Sequence, residues 1–188
     1  ADPNARATGF IPRFGGNITG TSEGQRPIEI GATSYLLAAM NGEAKMMRVL
    51  AAAGADTKAR TVVPNSPTNL GGLSALIAAA GQGHTLAISS VPETRHLEAV
   101  KVALELGADI NETTLRGTTA LHAAAYVGFN SIIRFLVDRG ANLNAVDERG
   151  RTALDVATKD AYLQAPTFHP ESAALLRELG AKQGSCVP

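Results

Sequence analysis

Arg116-Gly117-Thr118-Thr119-Ala120-Leu121-His122-Ala123-Ala124-Ala125, continuing to Phe135-Leu136-Val137-Asp138-Arg139-Gly140-Ala141-Asn142, is the stretch that decides the fold. Thr119 stands just ahead of a run of small, strong helix formers, where its hydroxyl can accept a hydrogen bond from an otherwise unpaired backbone N–H. Ile132-Ile133 with Leu136 put apolar groups at helical spacing on a second helix. Gly140 then supplies the left-handed conformation that ends this helix. Two antiparallel helices are therefore expected over residues 119–140.

The same closing phrase recurs at Gly54-Ala55-Asp56, Gly107-Ala108-Asp109 and Gly180-Ala181-Lys182. An opening of the form Gly-x-(Thr/Ser)-x-(apolar)-x-x-Ala begins at Gly31, Gly72, Gly117 and Gly150, with Thr33, Ser74, Thr119 and Thr152 as the capping residues. From opening to closing phrase is 23 residues at Gly31 to Gly54 and at Gly117 to Gly140, but 35 at Gly72 to Gly107 and 30 at Gly150 to Gly180. The second unit has thus gained 12 residues and the fourth 7, at about 83–95 and 160–170. Between units the gap is 10 residues, except for 18 from Gly54 to Gly72, so the interval of 53 from Gly54 to Gly107 returns to 33 once insertions are removed. Gly107 to Gly140 is 33 with no insertion at all. No unit this short buries its own apolar face, so the units must stack.

A 33-residue period with a Thr-x-Leu-His-x-Ala phrase resembles the ankyrin-repeat family. The third unit matches closely. The others share its phasing but keep no His, and Ser34, Ala75, Ala120 and Ala153 stand where the family usually has Pro. The resemblance implies an all-α solenoid of about four helix-turn-helix units with long inserted loops, the units lying at about 31–60, 72–112, 117–146 and 150–182. Residues 183–188 are expected to be a tail, and residues 1–30 the end of a preceding unit plus an inserted loop. Ala1-Asp2-Pro3-Asn4-Ala5-Arg6 reads like Ala55-Asp56-Thr57-Lys58-Ala59-Arg60, so the chain is expected to be the C-terminal part of a longer array.

Composition agrees with a stack: 45% of the 188 residues are hydrophobic, only 4% are aromatic and none is Trp. Seventeen basic residues balance seventeen acidic ones, which argues against nucleic acid or an anionic membrane as the main partner. No apolar run reaches the length of a membrane span. Cys186 is the single cysteine, so no internal disulfide forms, and it lies in a Gly-Ser-Cys-Val-Pro tail as an incidental thiol. His84, His96, His122 and His169 lack metal-ligand spacing, and Glu93 with His96 on one helical face falls short of a zinc site. Asp56 and Asp109 recur at one turn position for a local reason, and Arg134, Arg139, Arg149 and Arg151, interleaved with acids, read as a mixed, solvated face. No dinucleotide or phosphate loop, cofactor site, metal site or catalytic constellation is expected.

The resemblance implies a non-catalytic protein–protein interaction module: a scaffold or accessory subunit of a larger hetero-complex. The alternative is a targeting or regulatory arm of a larger chain whose catalytic domain lies elsewhere. The resemblance further implies binding through the surface of turn tips and first helices. Carried over by position, that surface comprises Leu115, Arg116, Thr118, Tyr126 and Val127, then Glu148, Arg149, Arg151, Lys159 and Asp160, with Met40, Asn41 and Gln82 earlier. Phe10 and Phe14 join it because aromatics in an exposed Gly-rich insertion require a cover.

Overall fold

A computed structural model describes residues 2–6, 31–62, 71–81, 91–158 and 169–185. Within them lie eight helices: α1 (Ser34–Met40), α2 (Ala44–Ala52), α3 (Ala75–Ala79), α4 (Glu93–Glu105), α5 (Ala120–Val127), α6 (Asn130–Asp138), α7 (Ala153–Thr158) and α8 (Pro170–Glu178). They pair as α1 with α2, α3 with α4, α5 with α6 and α7 with α8. The odd-numbered helices pack in sequence into one layer and the even-numbered into a second. The fold is an all-α solenoid.

Each first helix starts where a hydroxyl can cap it. Thr33 accepts from the Leu36 N–H, Ser74 from Ile77, Thr119 from His122 and Thr152 from Asp155, at 3.3 to 3.4 Å. Each pair ends at a phrase glycine, Gly54, Gly107, Gly140 or Gly180, with φ between 88° and 91°. In the second unit the second helix begins at Glu93, two residues before the expected end of the insertion, because Pro92 has extended backbone and leaves Glu93 free to open the first turn. Pro170 opens α8, where its missing N–H costs nothing.

Alanine and leucine fill the space between units. All five residues of α3 are buried, as are Leu36, Leu121 and Leu154 in the first layer and Met47, Val100, Ile133, Leu136 and Leu176 in the second. Small side chains suit the close approach of first helices of neighbouring units, and Ala38-Ala39, Ala79-Ala80 and Ala124-Ala125, at one position in successive units, are all buried.

Candidate functional site

Between the second and third units and between the third and fourth the chain makes a tight hairpin-like turn, each organised by one polar side chain. Thr114 Oγ1 accepts from the N–H groups of Arg116 (3.3 Å) and Thr118 (3.2 Å). Asp147 holds the equivalent place, its Oδ1 accepting from Arg149 (2.9 Å) and Arg151 (3.0 Å). Beside the first connection, Thr61 Oγ1 accepts from the Leu73 N–H at 3.0 Å. Successive turns are joined edge to edge: Leu115 N–H donates to the Gly71 carbonyl at 3.0 Å, and Glu148 N–H to the Arg116 carbonyl at 2.9 Å. The turn tips therefore form one continuous edge.

That edge carries apolar side chains in solvent. Leu115 is 70% exposed, and Val62 and Val146 are each 53% exposed. Arg116, half-buried beside Leu115, pairs with Glu148 at 3.2 Å. Val62 and Val146 were not among the residues expected here. The available signal was an apolar residue beside the turn-organising Thr61 or Asp147, where solvated turns usually carry polar groups.

Other expected surface residues divide. Asn41, Glu148 and Arg149 are exposed, although the Asn41 amide also donates to the Leu37 carbonyl at 2.7 Å and so finishes α1. Thr118 is half-buried, and so are Tyr126 and Val127 at the end of α5, where Val127 leans on Gly81 of the preceding unit. Met40, expected to be exposed, is half-buried in the last turn of α1, packed against the core. Arg151 corrects the expectation of a solvated arginine. It is buried, with Nε and Nη2 on Asp147 Oδ2 at 2.8 and 2.5 Å, because the carboxylate that organises this turn draws the guanidinium inward. Phe10, Phe14, Gln82, Lys159 and Asp160 lie outside the described residues.

The titratable groups with shifted pKa serve the stack. Burial pushes the His122 imidazole down, the Arg151 carbonyl pulling the other way. That carbonyl can only accept, so Nε2 carries the proton (2.9 Å) and Nδ1 accepts from Thr119 N–H (3.3 Å). His96 is lowered, again chiefly by burial, with Nδ1 3.0 Å from the Ala79 carbonyl and its ring 5.2 Å from that of Phe129. Burial raises Glu112 despite its contacts with Ser74 and Arg60. For Asp147 burial acts upward, but the bonds from Arg151 and from two backbone N–H groups outweigh it and leave the carboxyl below its usual range. Glu93 and His96 do not converge: Glu93 reaches the next unit, where it accepts from the Ser131 (2.6 Å) and Ile132 (3.2 Å) N–H groups at the start of α6. Asp56 and Asp109 each close a local turn, accepting at 2.9 Å from the N–H two residues on.

Among the described residues no three His, Cys, Asp or Glu side chains are grouped as metal ligands, and no helix is long and apolar enough to cross a membrane. A hollow between α2 and α4 is lined by Lys45, Arg48 and Glu98, and the pairs Arg95–Glu43 and Arg48–Glu105 bridge it.

A family model described as ankyrin repeats (3 copies) matches residues 86–183, which contain helices α4 to α8. Comparison with curated proteins gave no match. Ankyrin repeats are generally protein–protein interaction modules and typically non-catalytic. With the 33-residue period, the capped helix pairs and a family match across more than half its length, this chain belongs to the ankyrin-repeat family.

Proposed function

We propose that this protein is a non-catalytic scaffold or accessory subunit that holds another protein along its edge of turn tips. The observation that carries the reading is Leu115, a large apolar side chain 70% exposed at the tip of a rigidly hydrogen-bonded turn, with the Arg116–Glu148 pair beside it. An apolar anchor next to an Arg on a pre-ordered backbone suits a protein interface, because little conformational freedom is lost when the partner covers it. Val62 and Val146 extend this edge on either side, and Asn41, Tyr126 and Val127 offer further accessible area on the first-helix layer. Support for a non-catalytic role comes from the titratable groups. His122, His96, Glu112 and Asp147, whose pKa values are shifted, are spread through separate turns and helix junctions, each bonded to backbone or to a structural neighbour.

The test is capture of partners from source cells by the wild type, by Leu115→Glu with Arg116→Ala, and by Arg177→Ala on the exposed side of α8, each checked for native helicity. The expected result is that proteins identified by mass spectrometry with wild type and Arg177→Ala drop at least about tenfold with the turn variant. If all three folded proteins retain the same partners equally, the turn edge is not the interface.

A further inference from the structure

In the turns at 114–118 and 147–151 every backbone N–H is already bonded within the protein. Those of Thr114, Gly117, Asp147 and Gly150 go to carbonyls of their own turns, and those of Leu115 and Glu148 to Gly71 and Arg116 of the connection before. Thr114 Oγ1 takes the Arg116 and Thr118 groups, and Asp147 Oδ1 the Arg149 and Arg151 groups. An extended segment laid on this edge would therefore bring carbonyls that meet no backbone donor, and a buried carbonyl without a donor is costly. A helix bonds its own carbonyls internally and needs only side chains at the contact.

The spacing of the apolar residues points the same way. Val62 and Leu115 hold one position in successive connections, directly after Thr61 and Thr114. Each lies over the glycine that opens the unit before it: a methyl on Gly31 would come 2.8 Å from Val62 Cγ2, and one on Gly72 3.2 Å from Leu115 Cγ. Thr61 N–H donates to the Leu73 carbonyl and Leu115 N–H to the Gly71 carbonyl, both at 3.0 Å, so two backbone pairings separate the two side chains. At about 4.8 Å per pairing they stand about 10 Å apart. Residues seven apart on an α-helix are separated by about 10.5 Å along nearly one face, whereas those on one face of a strand repeat at about 6.7 and 13 Å. In the next turn Glu148 takes the position of Leu115 and pairs with Arg116 at 3.2 Å, and Val146 adds apolar surface beside it.

Charge along the edge has one prevailing sign. Among the described residues of these turns Arg60, Arg116 and Arg149 reach solvent beside the apolar groups, against Glu148 alone, because Glu112 is turned inward onto Ser74 and Arg60 with its side chain 10% exposed. We propose that the turn-tip edge binds an amphipathic helix of the partner protein, with apolar residues about seven apart for Val62 and Leu115 and carboxylates alongside them for the three arginines. This rests on the turn edge being the protein interface, and adds to it the shape and charge of what binds there.

For the test, Thr113→p-benzoylphenylalanine places a photoreactive group on the exposed edge without altering its apolar anchors. The protein is irradiated in extracts of source cells, and the attached partner segment is identified by mass spectrometry and synthesised. Its binding to the unmodified chain is followed by fluorescence anisotropy and circular dichroism. The expected segment has more Asp and Glu than Lys and Arg, carries apolar residues at i and i+7, and is helical when bound. Its affinity should fall at least about tenfold between about 50 and 300 mM salt. It should fall at least about tenfold with Arg116→Glu plus Arg149→Glu, and separately with Leu115→Glu, but stay within about twofold with Arg177→Glu on α8. Each variant is first checked for native helicity, and Arg149→Glu alone replaces the pair if the pair fails to fold. A segment that is neutral or basic, that binds without becoming helical, or that is indifferent to the arginine reversals overturns the proposal while leaving the turn edge as the interface. Absence of any cross-link through position 113 overturns both.

Discussion

Leu36, Ile77, His122 and Asp155 occupy one structural position in successive units, and each answers a different local demand. The first two fill core. His122 ties its own turn at Thr119 to the next at Arg151, and Asp155 binds Thr152 and Gly184 where no further turn is described. Because burial lowers the folded pKa of His122 and His96, the unfolded chain binds more protons than the folded one below the ordinary histidine value of about 6.5. Their contribution is complete above that value and is lost as the pH falls, so a urea midpoint measured at pH 5 should lie below that at pH 7. Raised Glu112 acts in the opposite sense, gaining only as the pH approaches the usual carboxylate range. His122→Leu should flatten this dependence and cost about 1–2 kcal/mol at pH 7 for the hydrogen bonds lost. Arg151→Ala strands the buried Asp147 carboxylate and should cost about 3 kcal/mol or more by denaturant titration. Tyr35 fills the position of Leu121 with a buried hydroxyl that has no hydrogen-bond partner among the described residues, and burial pushes its pKa up to about 12. Tyr35→Phe should therefore leave the midpoint equal to or above wild type.

At the scale of the element, helix ends separate conformational cost from packing cost. A methyl on Gly140 meets nothing within 4 Å, so Gly140→Ala should lose only the penalty of left-handed backbone, about 1–2 kcal/mol. Gly128 ends α5 with φ 85°, and a methyl there would lie 2.5 Å from the His169 ring, which is held by the Tyr126 carbonyl at 3.1 Å. Gly128→Ala should cost more than Gly140→Ala in the same titration, and equal losses would show that the ring yields freely. Leu121 and Leu136 are buried on facing helices of one pair, so Leu→Ala at either should cost about 2–5 kcal/mol. Thr119→Ala removes a cap whose hydroxyl also meets His122 at 2.8 Å, and a loss of about 1 kcal/mol is expected.

For the whole molecule, each pair touches mainly its neighbours, so stability is a chain of local interfaces rather than one central core. Protection in hydrogen exchange should peak in α3 to α6, which have packed helices on both sides, and fall towards α2 and α8. Uniform protection from α1 to α8 would instead indicate a single cooperative unit. The Asn4, Asn111 and Asn144 bonds along the closing phrases reinforce most interfaces. Lys58 stands at the remaining such position and has no side-chain carbonyl to accept there.

The sequence alone determined the helix pairs, their capped starts and glycine ends, and the 33-residue phasing, because each depends on bonds three or four residues apart and on a repeated apolar spacing. Leu121 and Leu136 could be placed inside for the same reason. Tertiary structure decided what depends on neighbours distant along the chain. Glu93 caps a helix 38 residues away, the Arg151 backbone meets a histidine 29 residues earlier while its guanidinium is buried on Asp147, and Asn4 reaches Asp56 across 52 residues. Met46 and Val49 carry the helical spacing of buried residues yet stand in solvent, because burial at that position requires a preceding helix that local periodicity cannot supply.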